Sequence, residues 1–293
     1  MMHEEFVLHS REGEKLRADL RYEADGIKKP IVLFIHGFKG FKNWGPFPFV
    51  CEHLAAKGFV NIAFNFSHNG VGDDLLNFSE LDRFAENTFS LELEELSDVI
   101  GEIASLDNIP IDLREINTGA IGLHGHSRGA ATAILAAPHH RMIRCVASWA
   151  PVSHFNRYTD RQKAEWRAKG YAEILNARTG QTMRLNMTLL DDIERHKEHL
   201  DIPKAAHILT SQEKSLLLVA GSEDLTAKPV ESQTIYDASS KEFAELHIIP
   251  RTGHTFGSEH PFKGTTPSLD AAIGITVDFF QKYLINHPIP FPE

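Results

Sequence analysis

The chain has 293 residues, 42% of them apolar and 24% charged, with 2 Cys, 17 His and a formal net charge of −10. A chain of this length buries roughly three-quarters of the surface its unfolded form exposes, so a core needs neither disulfide nor metal, and one large domain spanning 1–293 is expected. The balance of 40 acidic against 30 basic residues argues against a broad phosphate-gathering surface and excludes nucleic acid as an expected partner.

The N-terminal Met1-Met2-His3-Glu4-Glu5-Phe6 has neither a basic start nor an apolar run, so no signal peptide is expected. No stretch reaches the roughly 20 apolar residues of a membrane span, which leaves a soluble, cytoplasmic protein without a membrane partner as the reading. Phe6-Val7-Leu8-His9 and the alternating Leu16-Arg17-Ala18-Asp19-Leu20-Arg21-Tyr22 flank Glu12-Gly13-Glu14, predicting an antiparallel hairpin with one wet face. Ile31-Val32-Leu33-Phe34-Ile35 is a continuous apolar run ending at His36-Gly37-Phe38, as in a strand covered on both faces. The runs Phe59–Phe64, Gly119–Leu123, Ile143–Trp149, Ser215–Ala220 and Leu246–Ile249 repeat that character.

Helical spacing occupies the intervals, at about Phe47 to Lys57, Leu81 to Leu106, Gly129 to Ala137, Pro229 to Ala238 and Leu269 to Ile285. Strands alternating with helices predict an α/β fold: a mostly parallel sheet of eight strands with helices on both faces. Residues 153–212 break the alternation and are too long for an ordinary connection. They read as a helical lid insertion after strand six, with amphipathic pieces at Arg161 to Ala172 and Leu189 to His199. Cys51 and Cys145 fall in a helix and a strand and read as buried free thiols.

The sharpest local signal is Gly125-His126-Ser127-Arg128-Gly129 between the strand ending at Leu123 and an Ala-rich helix. This is the strand, tight turn and helix context of a Gly-x-Ser-x-Gly nucleophile elbow. A serine hydroxyl needs a general base, and the base needs a carboxylate to fix its tautomer. Asp224, in Gly221-Ser222-Glu223-Asp224, and His254, in Thr252-Gly253-His254, follow the last two buried strands in the chain order this fold uses. Glu223 is the rival acid, and His247 and His260 are the rival bases. The backbone N–H groups of Arg128 and of Phe38, in His36-Gly37-Phe38, are the candidate donors to an oxyanion.

On these motifs the chain resembles the α/β-hydrolases, in particular the dienelactone-hydrolase, serine-aminopeptidase and cinnamoyl or feruloyl-esterase-like branches. The resemblance runs from Phe6 to Leu284. It implies a His-Gly-x oxyanion loop, a helical insertion after strand six and acyl transfer through a serine. Dienelactone hydrolases proper resemble a Cys-nucleophile pattern, and Ser127 stands here instead. The reading is a serine hydrolase of carboxylic esters, with aromatic acyl groups among its candidate substrates, acting on a small-molecule ester without a cofactor. A serine-aminopeptidase-like peptidase is the nearest alternative, and a weakly catalytic or non-catalytic ligand receptor on this fold is an alternative of another class. The oligomeric state is left open, a homodimer included.

Other signals are set aside. His124-x-His126 and His196 with His199 lack a third ligand at sensible spacing, so no metal is expected. Gly37-x-x-Gly40 and Gly70-x-Gly72 lack the residues of a phosphate loop. Glu92-Leu93-Glu94-Glu95-Leu96 reads as a solvated helix face. His68 to Asp74 and the insertion aromatics Phe155, Tyr158, Trp166 and Tyr171 are candidate pocket walls.

Overall fold

The computed structural model of the chain describes residues 1–106, 108–176 and 179–286. Residues 177–178 of the insertion and 287–293 of the expected domain lie outside the described residues. The eight runs anticipated as strands form one sheet: β1 (Met2–His9), β2 (Lys15–Tyr22), β3 (Lys29–Ile35), β4 (Val60–Phe64), β5 (Ile116–His126), β6 (Ile143–Trp149), β9 (Ser215–Gly221) and β10 (Ala244–Ile249). Their order across the sheet is β1-β2-β4-β3-β5-β6-β9-β10. Only β2 runs against its neighbours.

Period-two geometry divides β3 between the two faces. Ile31, Leu33 and Ile35 join a core with helices α3 (Phe89–Ser105), α4 (Arg128–Ala136) and α8 (Pro229–Ala238). Val32 and Phe34 meet helices on the opposite face, Val32 beside residues of α1 (Phe47–Ala56) and α9 (Pro267–Phe280), Phe34 against Phe47 and Cys51. Both thiols are buried and free. Among the described residues, no helix is long and apolar enough to cross a membrane.

Three local expectations are corrected. The polar side of β2 is not wet: Asp19 and Arg21 are buried beneath Lys42, which pairs with Asp19, while an Arg21 N–H donates to the other Asp19 oxygen at 3.0 Å. Ion pairs this deep require partners to offset the lost hydration. Lys42 N also donates to Asn65 Oδ1 at 2.7 Å, so this cluster anchors the loop leaving β3.

The interval Leu81 to Leu106 is two helices, α2 (Leu81–Glu86) and α3. Asn87 is extended, and Thr88 restarts the helix by accepting from Leu91 N at 3.1 Å.

The insertion is not wholly helical. After α5 (Asp160–Lys169), Gly170 ends the helix in the left-handed conformation, and β7 (Tyr171–Leu175) pairs antiparallel with β8 (Thr182–Asn186). Helices α6 (Met187–Arg195) and α7 (Ile202–Ser211) follow. Trp166, Met183, Leu185 and Leu190 are buried and continuous with the α3/α4 core, so the insertion shares the body's interior.

Candidate active site

The turn from β5 into α4 is tight enough to dictate its sequence. A Cβ on Gly129 would lie 2.3 Å from the carbonyl oxygen of His36, and one on Gly125 would lie 2.5 Å from Ala130 Cα. Neither position admits a side chain. Ser127 takes φ 57° and ψ −120°, a conformation that costs a non-glycine residue on the order of 1–3 kcal/mol. Its N–H donates to the Trp149 carbonyl at 2.8 Å, and the turn holds the hydroxyl at the carboxyl-terminal end of the sheet.

Three side chains from three strand ends meet there. Ser127 Oγ lies 2.9 Å from His254 Nε2, and His254 Nδ1 lies 2.7 Å from Asp224 Oδ2. The loops after β9 and β10 are held in register: Ser222 N donates to the Ile249 carbonyl at 2.8 Å, and Glu223 N to the Thr252 carbonyl at 2.9 Å. The second Asp224 oxygen accepts from Thr226 N at 2.8 Å and Ala227 N at 2.9 Å. Burial opposes the Asp224 charge, but the hydrogen bond and charge of His254 and these two N–H groups outweigh it, holding the carboxyl below the ordinary range. An ionised Asp224 accepts a hydrogen bond from Nδ1–H, keeping that proton on Nδ1 and leaving Nε2 as a base toward Ser127.

The rivals sit elsewhere. Glu223 is exposed. His247 is half-exposed on β10, 3.6 Å from Glu245. His260 Nδ1 accepts from Gly45 N at 2.9 Å, with its ring against Phe41 and Trp44.

The loop after β3 packs directly on the elbow. A Cβ on Gly37 would fall 2.8 Å from the His126 carbonyl, 2.9 Å from Ser127 Cβ and 3.4 Å from Arg128 N. His36 is buried, which pushes its pKa down to about 4 and keeps it neutral. Phe66 N donates to His36 Nε2 at 3.3 Å, so the ring proton is on Nδ1, which donates to the Gly37 carbonyl at 3.0 Å. That carbonyl and the Phe38 N–H belong to one planar trans peptide, so fixing the first aims the second the opposite way.

Further side chains complete the site. His126 is also held neutral by burial, with a pKa of about 3, and its Nε2 donates to the His254 carbonyl at 3.0 Å. A cavity of about 390 Å³ opens beside Ser127 and His254, walled by Phe38, Trp44 and Phe47 and closed by Ile174 and Asn176 of the insertion. Hydrophobicity alone did not mark Trp44 and Phe47, which precede or open α1, as cavity walls.

The expected pocket walls are corrected as well. Phe155 stacks on Phe89, Tyr158 packs edge-on to Trp166, and the Arg184 guanidinium lies over Tyr171. These aromatics pack the insertion; none of them lines this cavity. From His68 to Asp74, Asn69 reaches His36 at 3.4 Å, but no residue of the segment lines the cavity. Glu92 and Glu95, expected in water, are buried. Glu92 pairs with Arg128 and Glu95 accepts from Ser67 N at 3.0 Å. His124 lies in the core between Phe34 and Trp149.

A model of the alpha/beta hydrolase family matches residues 32–266, from β3 past the loop that carries His254. The chain belongs to the alpha/beta hydrolase family. No curated protein sequence matches it. Among solved structures this family member is similar to Est1E from Butyrivibrio proteoclasticus, bound to ferulic acid, at 18% identity and TM-score 0.71, covering 96% of this chain and 99% of that one. It is similar to the esterase domain of a Rhodothermus marinus protein at 15% identity and TM-score 0.64, covering 97% and 100%. It is similar to the alpha/beta hydrolase GrgF from Penicillium sp. sh18 at 14% identity and TM-score 0.70, covering 97% and 99%. At these identities the likeness establishes a shared fold.

Proposed function

We propose that this family member is a serine hydrolase that cleaves carboxylic esters through an acyl-enzyme. The observation that carries the reading is the continuous contact Ser127 Oγ to His254 Nε2 to His254 Nδ1 to Asp224 at 2.9 and 2.7 Å, beside a cavity. Ser127 Oγ attacks the ester carbonyl as its proton passes to His254 Nε2. The carbonyl oxygen becomes an oxyanion facing the N–H groups of Phe38 and Arg128. Collapse breaks the bond to the alcohol, which leaves with the proton from His254, and water repeats the sequence on the acyl group. Asp224 stays ionised and stabilises the imidazolium.

The walls Phe38, Trp44 and Phe47 favour a flat or apolar group on the substrate, such as an aromatic acyl chain. That Est1E is bound to ferulic acid is a property of that protein, and it makes aryl-propenoyl esters a sensible first panel.

A fluorophosphonate probe, p-nitrophenyl and aryl-propenoyl esters, and aminoacyl anilides test the proposal together. Labelling that disappears in Ser127→Ala and turnover confined to esters are expected. Equal labelling of wild type and Ser127→Ala overturns the nucleophile assignment, and turnover of the anilides in preference to the esters overturns the substrate class.

A further inference from the structure

The two residues proposed above as oxyanion donors are also joined through their side chains. The Arg128 guanidinium lies over the Phe38 ring, 4.9 Å from its centroid, and over the Phe89 ring at 4.9 Å. Arg128 is 7% exposed, and a charge so placed requires a buried partner. Glu92 on α3 supplies it: Arg128 Nε donates to Glu92 Oε2 at 2.9 Å and a terminal N–H donates to Oε1, which also accepts from Asn87 Nδ2 at 2.8 Å.

The stack continues at both ends. Phe84 stacks on Phe38 at 5.5 Å. Phe155, where the insertion leaves β6, lies over Phe89 at 3.9 Å with 2° between the ring planes. The insertion grips the same helix end a second time, since Asp192 on α6 accepts from Phe89 N at 2.9 Å and Ser90 N at 3.1 Å.

We propose that Glu92 and Phe155 are positioning residues for the oxyanion hole, holding the Arg128 guanidinium against Phe38 so that the two N–H donors keep one spacing. The inference rests on the ester-hydrolase reading, because donors matter to the rate only where an oxyanion forms. His36 Nδ1 and Gly40 N both donate to the Gly37 carbonyl at 3.0 Å, holding the Phe38 peptide from the backbone side, and the Arg128 guanidinium holds the Phe38 ring from the other. Oxyanion donors act over a narrow range of distance, and hydrogen bonds weaken steeply with angle. A two-point Arg–Glu pair with a ring under the guanidinium supplies direction as well as attraction. Glu92 is 3% exposed and does not line the cavity, so its effect on the reaction passes through Arg128.

The test uses full-length Glu92→Gln, Arg128→Lys and Phe155→Leu with p-nitrophenyl butyrate. Phenylboronic acid serves as a second readout: it bonds to Ser127 Oγ as the hydroxyl proton passes to His254, leaving boron-bound oxygen at the hole. Displacing a donor without removing it should lower kcat by about 10- to 100-fold in Glu92→Gln and Arg128→Lys, below the cost of losing the donor outright. KM should stay within about two-fold, and affinity for the boronic acid should fall with kcat. Glu92→Asp should recover part of the loss. Phe155→Leu keeps the ion pair and most of the apolar volume, and should lower kcat about three- to ten-fold by the same pattern. If Glu92→Gln does not fold, the other two variants decide. An active wild type with Arg128→Lys and Phe155→Leu unchanged in kcat, or changed only in KM, overturns the positioning roles alone. A wild type that neither turns over the ester nor labels with fluorophosphonate overturns the ester-hydrolase reading, and the positioning roles with it.

Discussion

Replacing Asp224 by Asn separates charge and tautomer from shape, because the amide has nearly the same outline. The structure dictates which way it sits. One carboxylate oxygen accepts from two N–H groups, Thr226 at 2.8 Å and Ala227 at 2.9 Å, while the other faces His254 Nδ1 at 2.7 Å. Turning the amide nitrogen toward Thr226 and Ala227 would set donor against donor in a buried site, so the oxygen stays there and the NH2 faces His254. Nδ1 must then accept, the ring proton moves to Nε2, and Ser127 Oγ at 2.9 Å meets a donor instead of a base. A triad with this wrong tautomer loses about 10⁴-fold in kcat, or about 5.5 kcal/mol of barrier. Steady-state hydrolysis of p-nitrophenyl butyrate measures the loss, and 15N NMR of the imidazole reads the tautomer directly. The reasoning is refuted if Asp224→Asn keeps its rate within about ten-fold of wild type while NMR places the proton on Nε2.

Two further outcomes follow from the same structure. Gly37→Ala puts a methyl 2.8 Å from the His126 carbonyl and 2.9 Å from Ser127 Cβ, so the oxyanion loop must retreat. A loss of kcat on the order of 10²-fold with little change in KM is expected, and a fully active variant would remove Phe38 from the hole. Stability should fall on acidification below about pH 6.5, the ordinary histidine value. The fold keeps His36 neutral down to about pH 4 and His124 and His126 down to about pH 3, while the unfolded chain protonates all three. Glu95 acts with the opposite sign: burial raises it to about 7, so the fold carries a proton that the unfolded chain releases above about pH 4.5. Near pH 5.5 the three histidines outweigh Glu95, so stability rises with pH, with a slope on the order of 2 kcal/mol per pH unit. Urea titrations at pH 7 and 5.5 measure it. Glu95→Gln should steepen the slope, and equal stability at the two pH values would contradict the buried neutral histidines.

The meeting of Ser127, His254 and Asp224 was legible because each follows a buried strand by a few residues. Apolar runs placed β5, β9 and β10, and the loops at their carboxyl ends bring Ser127, Asp224 and His254 together by sheet geometry alone. The β7–β8 hairpin was less legible. Gly170 is an ordinary helix stop, and Met183 and Leu185 alternate with polar neighbours, but five-residue strands carry too few periods to stand out from a helical context. On α3 the signal was present and misread. Glu92 lies four residues before Leu96 and seven before Val99, on the stripe that buries Phe89, Leu96, Val99 and Ile103. A carboxylate on a buried stripe implies a buried partner, but that partner, Arg128, is distant in sequence and meets it only through α3–α4 packing.

The insertion aromatics show why residue type did not reveal function. Phe155, Tyr158, Trp166 and Tyr171 are apolar enough to suit a pocket wall, yet their apolar surface is satisfied equally by a cavity and by a packing contact. Here the contacts went to Phe89, to one another and to Arg184, while the cavity took its rings from Phe38, Trp44 and Phe47. On the proposed mechanism the insertion reaches the chemistry by two routes of different kind. Ile174 and Asn176 contact whatever occupies the cavity, so changes there should act on KM and on choice of substrate. Phe155 does not line that cavity and joins the stack that includes Phe38, so a change there should act on kcat across substrates of every shape.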